Sequence, residues 1–252
     1  MISILLTKEN NPDLVALPLF VLAGGFGTRL QSVLPGLPKP LAPVGGKPFL
    51  SLQIEQWISQ GVRSFIFLLH HHADLIIEFL KNEQTDLLRD CQVQYVVEPS
   101  PMGTGGAIAY AVEKLAIEGD FLVANADTWL GTGIRQMMEA HSPAILTVYM
   151  SDVGRYGEII FNHQWHILAF TEKKFEDANS GWINAGLYRM NVALFGGWNS
   201  QKFSLEEVVF PELVKINSLL AVPVSTKFID IGIPEDYDRF CRWVESGKSV
   251  GL

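Results

Sequence analysis

The sequence of 252 residues has few cysteines and no long apolar run. It has only two cysteines, Cys91 and Cys241, and both have apolar neighbours in the sequence. This small number excludes a disulfide framework and a cysteine-based metal site. The first six residues carry no basic segment, and no stretch of about 18 apolar residues occurs, so neither a signal peptide nor a transmembrane helix is expected. We therefore expect a cytoplasmic protein without a membrane partner.

Basic residues are also scarce, with 19 Lys and Arg against 27 Asp and Glu, which gives a net charge of −8 at pH 7. Such a charge disfavours nonspecific binding to nucleic acid, so no nucleic-acid partner is expected. The content of 48% hydrophobic and 18% charged residues excludes a disordered or fibrous chain. A phosphate-binding site in this protein needs a local cluster of basic residues.

Apolar runs of strand length alternate with segments of helical periodicity along most of the chain. Strands are predicted at residues 17–23, 62–69, 93–97, 121–124, 144–150 and 219–224. Helices are predicted at residues 48–61, 74–81, 104–115 and 204–216, and from Pro234 onward. This alternation predicts an α/β fold with a Rossmann-like, mostly parallel central sheet and helices on both of its faces.

The pattern changes between residues 151 and 190, where turn residues separate short apolar runs. The runs at residues 157–161, 166–170 and 181–189 predict a small, hairpin-rich insertion. Residues 1–16 form an N-terminal extension for which no structure is predicted. Because no fixed-period repeat or low-complexity linker interrupts the chain, we expect a single domain over residues 1–252.

One segment of this acidic chain has no acidic residues. Residues 14–54 contain no Asp or Glu, and Arg29, Lys39 and Lys47 make the segment locally basic. The same segment contains six glycines and, within residues 35–48, five prolines. A stiff backbone with glycines can bring N–H groups close to phosphate oxygens, so this segment is the predicted anion site.

Two common phosphate loops do not match this segment. The dinucleotide fingerprint G-x-G-x-x-G begins at Gly25 but has Leu30 in place of its third glycine, which disfavours a dinucleotide-dependent oxidoreductase. The Walker A loop requires Ser or Thr after its lysine, whereas Gly46-Lys47 is followed by Pro48. The residues therefore indicate a third type of phosphate loop.

The string Leu22-Ala23-Gly24-Gly25-Phe26-Gly27-Thr28-Arg29-Leu30, with Pro38-Lys39-Pro40 after it, resembles the sugar-1-phosphate nucleotidyltransferases, or nucleotide-sugar pyrophosphorylases. The resemblance covers roughly residues 17–240 and continues in order through residues 98–107 (EPSPMGTGGA), 125–127 (NAD), 172–173 (EK), 184–186 (NAG) and 228–237 (FIDIGIPEDY). It implies that a sugar 1-phosphate oxygen attacks the α-phosphorus of a nucleoside triphosphate, and that pyrophosphate leaves.

The resemblance assigns the nucleotide to two glycine-rich segments. Their predicted nucleotide-binding residues are Leu22, Ala23, Gly24, Gly25, Gly27 and Thr28 at the phosphates and Gly103, Thr104, Gly105 and Gly106 at the base. Arg29 is assigned to the departing β and γ phosphates and Lys39 to the α-phosphate. Because phosphoryl-type transfer depends on positioning and charge neutralisation, these two cations are the predicted catalytic residues.

Two aspartates follow apolar runs of strand length. Asp127 follows residues 121–124 and Asp230 ends the run that begins at Phe228. Mg²⁺ prefers one or two carboxylates together with phosphate oxygens and water, so the pair predicts a Mg²⁺ site, and the family uses such a pair. The family commonly has Asn-Gly-Asp where this chain has residues 125–127 as Asn-Ala-Asp. The alternative for either aspartate is a cap on a following helix.

The resemblance also places the sugar 1-phosphate. Its predicted sugar-binding residues are Gly157, Glu172, Lys173, Asn184 and Gly186, with Lys173 as the cation for the phosphate. Taken alone, Glu172-Lys173 is also typical of a solvated hairpin end, and that alternative stays open.

Residues 228–238 resemble the guanylyltransferases that act on D-glycero-D-manno-heptose 1-phosphate. Gly105-Gly106 resembles the base segment of members that accept guanine or cytosine, because thymidylyl and uridylyl members often have a glutamine there. The resemblance therefore favours GTP and a manno-configured heptose 1-phosphate as substrates. Mannose 1-phosphate with GTP, and a sugar 1-phosphate with UTP or CTP, remain alternatives.

Some family members carry a C-terminal β-helix of hexapeptide repeats, and this sequence contains no such repeat. A catalytically inactive regulator that binds a nucleotide sugar is an alternative from another class. Arg29, Lys39, Asp127 and Asp230 are all present, which favours the enzyme. The sequence leaves open whether the protein forms a homo-oligomer.

Overall fold

Residues 17–31, 33–171 and 180–247 are described by a computed structural model, which contains thirteen strands in this part of the chain. The strands are β1 Leu19–Leu22, β2 Pro43–Val44, β3 Lys47–Pro48, β4 Ser64–Leu69, β5 Gln92–Val97, β6 Asp120–Asn125, β7 Thr128–Leu130, β8 Ala144–Met150, β9 Ile159–Phe161, β10 Ile167–Phe170, β11 Gly181–Asn191, β12 Leu220–Val224 and β13 Phe228–Asp230. The predicted extension at residues 1–16 lies outside the described residues.

The described residues also form six α-helices of 6 to 12 residues. They are α1 Phe49–Ser59, α2 Ala73–Glu83, α3 Gly103–Lys114, α4 Ile134–Glu139, α5 Phe210–Lys215 and α6 Pro234–Glu245. Short 3-10 turns cover Lys39–Leu41 and Val192–Phe195, and a π-helical turn covers Leu205–Val209. Within the three described ranges, every helix is too short or too polar to cross a bilayer.

Seven strands form the central sheet in the order β12-β8-β11-β6-β1-β4-β5. β1 pairs in parallel with β4 and β6, β4 with β5, and β8 with β12, whereas β11 runs antiparallel to β6 and β8. The predicted mostly parallel sheet is confirmed. The carboxyl ends of parallel strands share one edge, so the segments that follow β1, β4, β5 and β6 meet there.

The sheet is buried on both faces. Val21 belongs to an apolar cluster that contains Ile54 of α1 and Ile76 of α2, whereas the adjacent Phe20 belongs to a second cluster with Ile108 of α3 and Phe210 of α5. Neighbouring strand residues point to opposite faces, which explains why strands such as β4 are continuously apolar. The predicted helices on both faces are confirmed.

The insertion is smaller than predicted. The run at residues 181–189 was expected to be its last strand, but β11 lies inside the central sheet between β6 and β8. The reason is burial, because β11 is largely buried along its length and needs partners on both sides. The two-stranded antiparallel sheet of β9 and β10 is therefore what remains outside the central sheet in the described part of the insertion.

A third apolar cluster joins α6 to a small antiparallel sheet of β7 and β13. Its aromatic rings belong to Phe49, Trp129, Tyr237, Phe240 and Trp243, and we call it the aromatic cluster. The ring centroid of Phe240 lies 5.1 Å from that of Phe49 and 5.9 Å from that of Trp129. These contacts fix α1, α6 and the small sheet to one another.

We expect the substitution Phe240→Ala to lower the free energy of unfolding by about 3–5 kcal/mol, because the side chain is fully buried at the centre of the aromatic cluster. Urea denaturation measures the change. Asp238→Ala, an exposed position on the same helix, is the control and should stay within about 0.5 kcal/mol of the wild type. A loss below about 1 kcal/mol for Phe240→Ala would contradict the role of the cluster.

Candidate active site

The segment after β1, residues 23–28, forms a glycine loop at the carboxyl edge of the sheet. The N–H of Ala23 donates to the carbonyl oxygen of Leu68 (3.0 Å), which attaches the loop to β4. A Cβ on Gly24 would lie 3.0 Å from the amide nitrogen of His70, so a larger residue does not fit without a shift. Gly27 has a φ of +59°, a conformation that favours glycine. Close packing therefore favours glycine at position 24, and the backbone conformation favours it at position 27.

Three cavities meet at this edge. The first, the apolar cavity of about 380 Å³, lies between the glycine loop, Glu98 and the start of α3. The second, the loop cavity of about 200 Å³, is lined by Leu22, Ala23, Gly25, Gly27, Thr28, Arg29, Lys39, Pro40, Ala126, Asp127 and Gly232. The third, the polar cavity of about 300 Å³, is lined by Arg29, Asn125, Asp127, Thr128, Arg155, Tyr156, Asn184, Gly186, Tyr188, Glu206, Phe228 and Asp230. Asp127 lines all three, so the cavities adjoin.

The structure brings the predicted Lys39, Asp127 and Asp230 into one charged cluster. Lys39 Nζ lies 2.6 Å from Asp127 Oδ2 and 3.7 Å from Asp230 Oδ1. The pairing of β7 with β13 sets this geometry, because it places Asp230 opposite Thr128 and the N–H of Ile231 donates to the carbonyl oxygen of Asp127. Distant parts of the chain thus meet at one point.

Neither aspartate caps a helix. Asp127 is followed by the strand β7, and the residue that caps α6 is Ile233, which makes no side-chain cap. Asp230 Oδ1 instead accepts the N–H of Gly232 (2.7 Å), which orients the carboxylate within its own turn. The helix-cap alternative is therefore not observed for either residue.

The two carboxylates repel each other. Burial raises the pKa of Asp230, and the charge of Asp127 raises it further, while Lys39 and Arg155 act in the opposite direction. The described residues contain no group of three His, Cys, Asp or Glu side chains around one point. Two facing carboxylates beside a cavity that can admit phosphate oxygens nevertheless fit the ligand preference of Mg²⁺.

The second glycine segment forms the start of α3, and we call residues 103–106 the base loop. A Cβ on Gly105 would overlap the ring of Phe203, and the N–H groups of Gly105 and Gly106 donate to the carbonyl oxygen of Phe203 (3.1 and 3.2 Å). The sequence predicts that these two glycines admit a base; in the structure Phe203 fills the space beside Gly105, and a Cβ on Gly106 would lie 2.9 Å from the Cβ of Met102. Gly103 and Thr104 line the apolar cavity.

Glu98 lines the apolar cavity and was not among the predicted site residues. It follows β5, is buried, and its Oε2 accepts the N–H of Met102 (2.8 Å). Burial raises the pKa of its carboxyl group. The sequence contains a signal for this residue, because Glu98 is an acid directly after the predicted strand at residues 93–97, much as Asp127 follows the predicted strand at residues 121–124.

Of the predicted sugar-binding residues, Asn184 and Gly186 line the polar cavity. Asn184 Oδ1 accepts the N–H of Gly186 (2.9 Å), and its Nδ2 donates to the hydroxyl of Tyr188 (3.1 Å). Gly157 lines an adjoining cavity of about 190 Å³ that also contains Asn184. Glu172 and Lys173 lie outside the described residues.

Arg155 is a polar-cavity residue that sequence reasoning missed. Its guanidinium forms an ion pair with the buried Asp236, which also pairs with Arg239 Nη2 at 3.0 Å. The polar cavity therefore carries two cations, Arg29 and Arg155, beside the Asp127–Asp230 pair. Such a cavity suits a ligand with a phosphate group and several hydroxyls.

Comparison with known proteins gives a consistent result. Residues 19–239 match the family described as nucleotidyl transferase. The chain is 33% identical over 222 residues to D-glycero-alpha-D-manno-heptose 1-phosphate guanylyltransferase of Campylobacter jejuni, covering 87% of this chain and 96% of the relative. It is 29% identical to mannose-1-phosphate guanyltransferase of Aspergillus oryzae, covering 86% of this chain and 61% of the relative.

A solved structure, HddC from Yersinia pseudotuberculosis complexed with GMP-PN, is similar at 34% sequence identity with a TM-score of 0.78. The alignment covers 90% of this chain and 99% of that chain. The likeness therefore extends over most of the chain rather than over the glycine loop alone.

We expect Asp230→Asn to raise the free energy of unfolding at pH 7 in buffer with chelator. A carboxyl group whose pKa is higher in the folded than in the unfolded state destabilises the fold once it ionises, and the neutral amide removes that cost. The gain should vanish as the pH falls below about 3.9, where the carboxyl group is protonated in both states. Urea denaturation at several pH values measures it, with the exposed Asp238→Asn as control. Lower stability of Asp230→Asn at pH 7 would contradict the repulsion.

Proposed function

This chain belongs to the nucleotidyl transferase family, and we propose that it joins GTP to D-glycero-alpha-D-manno-heptose 1-phosphate, forming the GDP-sugar and releasing pyrophosphate. The observation that carries the choice of GTP is the buried Glu98 carboxylate in the apolar cavity. The choice of sugar rests on the Campylobacter jejuni relative, whose length this chain covers almost completely.

Glu98 favours guanine for a chemical reason. An ionised carboxylate only accepts hydrogen bonds, and guanine offers two adjacent donors, its ring N1–H and its 2-amino group. Uracil and thymine offer one ring N–H between two carbonyl oxygens, which a carboxylate repels, and cytosine has no ring N–H on its pairing edge. The guanine base therefore lies in the apolar cavity with its donors toward Glu98.

The glycine loop holds the triphosphate through its backbone N–H groups, and Arg29 binds the β and γ phosphates from the loop cavity. Lys39 lines the same cavity and lies against Asp127, and its ammonium is assigned to the α-phosphate. These contacts neutralise charge where it develops as pyrophosphate departs, and no protein nucleophile takes part.

Asp127 and Asp230 are the residues that would hold a divalent cation, Mg²⁺, which prefers carboxylates together with phosphate oxygens and water. When bound, the ion neutralises negative charge on the two substrates and so lets them approach. The sugar 1-phosphate lies in the polar cavity, where Asn184 and the backbone at Gly186 contact its hydroxyls and Arg155 contacts its phosphate. Glu172 and Lys173 complete this set, by resemblance to the family.

The second candidate is mannose 1-phosphate with GTP, which the Aspergillus oryzae relative favours. A heptose exceeds mannose by one hydroxymethylene unit, a difference that a pocket discriminates by about 1–3 kcal/mol, or roughly 10- to 200-fold. The two sugars must therefore be compared directly.

A panel of the four nucleoside triphosphates with heptose and mannose 1-phosphates, assayed by pyrophosphate release, tests the proposed function. We expect GTP with the heptose to give the highest kcat/KM, at least about 10-fold above GTP with mannose 1-phosphate. A preference for UTP or CTP would overturn the choice of base. Mannose 1-phosphate equal to the heptose would overturn the choice of sugar, and no turnover with any pair would favour the inactive regulator.

Glu98→Gln tests the contact with guanine. Because a hydrogen bond to a charged group contributes about 1.5–3 kcal/mol, we expect kcat/KM for GTP to fall roughly 10- to 100-fold. ITP lacks the 2-amino group, so the wild-type preference for GTP over ITP should shrink toward equality in the variant. Glu113→Gln, exposed on α3, is the control, and thermal melting verifies folding. An unchanged ratio of GTP to ITP would show that Glu98 does not contact the base.

A further inference from the structure

The carboxylate of Glu206 lies where the polar cavity and the adjoining cavity meet. Glu206 is the second residue of the π-helical turn Leu205–Val209 and lines both cavities, together with Asn184 and Tyr156. Among the described residues, the lining of the adjoining cavity, of about 190 Å³, includes none of the phosphate-binding or metal-binding residues named above. Glu206 therefore lies where the polar cavity, which contains Arg29 and Arg155, meets a cavity whose described lining lacks both arginines.

One oxygen of this carboxylate is occupied by the protein. Oε2 accepts the hydroxyls of Thr104 and Ser204, both at 2.7 Å. Thr104 Oγ1 in turn accepts the N–H of Leu205 (2.9 Å). The side chain is thereby held in one orientation by hydrogen bonds to Oε2. The second carboxylate oxygen, Oε1, has two lone pairs that can accept hydrogen bonds from a ligand.

We propose that Glu206 is a sugar-specificity residue that accepts hydrogen bonds from exocyclic hydroxyls of the sugar 1-phosphate, and that the adjoining cavity takes the exocyclic carbon chain. This inference rests on the proposed function, in which the polar cavity holds the sugar. A carboxylate attracts hydroxyl donors and repels phosphate. The sugar therefore enters with its phosphate toward Arg29 and Arg155 and its far end toward Glu206.

The same contacts couple the two substrate sites. Thr104 belongs to the base loop that lines the apolar cavity, and its hydroxyl positions the Glu206 carboxylate. Thr104 is thus a positioning residue for sugar specificity, and it also lines the apolar cavity. Removing its hydroxyl should weaken sugar binding through Glu206, although Thr104 does not line the polar cavity itself.

The test compares Glu206→Gln with Glu207→Gln, a neighbour in the same turn that does not line either cavity. KM values for GTP, heptose 1-phosphate and mannose 1-phosphate are measured for both variants and for the wild type. For Glu206→Gln we expect the KM for heptose 1-phosphate to rise at least about 10-fold. The KM for mannose 1-phosphate, which has a single exocyclic hydroxyl, should rise clearly less, and the KM for GTP should change less than about threefold. Glu207→Gln should match the wild type.

Thr104→Ser and Thr104→Val separate positioning from packing. Serine keeps the hydroxyl and should retain the wild-type preference for heptose over mannose, whereas valine keeps the shape and should lose it. Equal losses for both sugars in Glu206→Gln, or a change confined to the KM for GTP, would overturn the inference.

The proposed function fails separately, in the wild type, if the enzyme prefers a different sugar or nucleotide. In that case the KM for its actual sugar 1-phosphate is measured in the same variants. A KM that Glu206→Gln leaves unchanged would overturn the inference, and thermal melting shows whether each variant is folded.

Discussion

The pairing of β7 with β13 is the contact on which the site depends. It places Asp127 and Asp230 side by side and brings both to Lys39, which lies 88 residues before Asp127 in the chain. The small sheet has only three residues in each strand, too few to be stable alone. Its stability comes from the aromatic cluster, which packs α6 and α1 against it. Apolar side chains that line none of the three cavities thus set the distance between two charged groups.

The charged cluster of Lys39, Asp127 and Asp230 lowers the stability of the fold. Two carboxylates face each other in a partly buried place, and burial together with Asp127 raises the pKa of Asp230. Lys39 offsets the repulsion with an ion pair at 2.6 Å. A protein selected for stability alone would not keep such a pair, and the exchange of stability for function is a common feature of active sites. A bound cation and the phosphates of a substrate would relieve the same repulsion.

The three cavities differ in the chemistry of their lining residues, so each suits a different part of the two substrates. The apolar cavity offers a buried carboxylate in Glu98 and apolar walls, which suits a flat base with two donors. The loop cavity offers backbone N–H groups and cations. The polar cavity offers an amide, cations and Glu206, which suit a phosphorylated sugar. Because Asp127 borders all three, a ligand in any one of them approaches the same charged cluster.

Local patterns in the sequence were sufficient for the alternation of strands and helices, for the acid-free basic segment and for the strand-end position of Asp127, because these depend on neighbours along the chain. Pairing between distant segments was decided by the tertiary structure. β11 joins the central sheet because its residues are buried between β6 and β8, and β7 is too short for a pattern of its own. Gly105 faces Phe203 rather than a cavity for the same reason: its neighbour comes from a remote part of the chain.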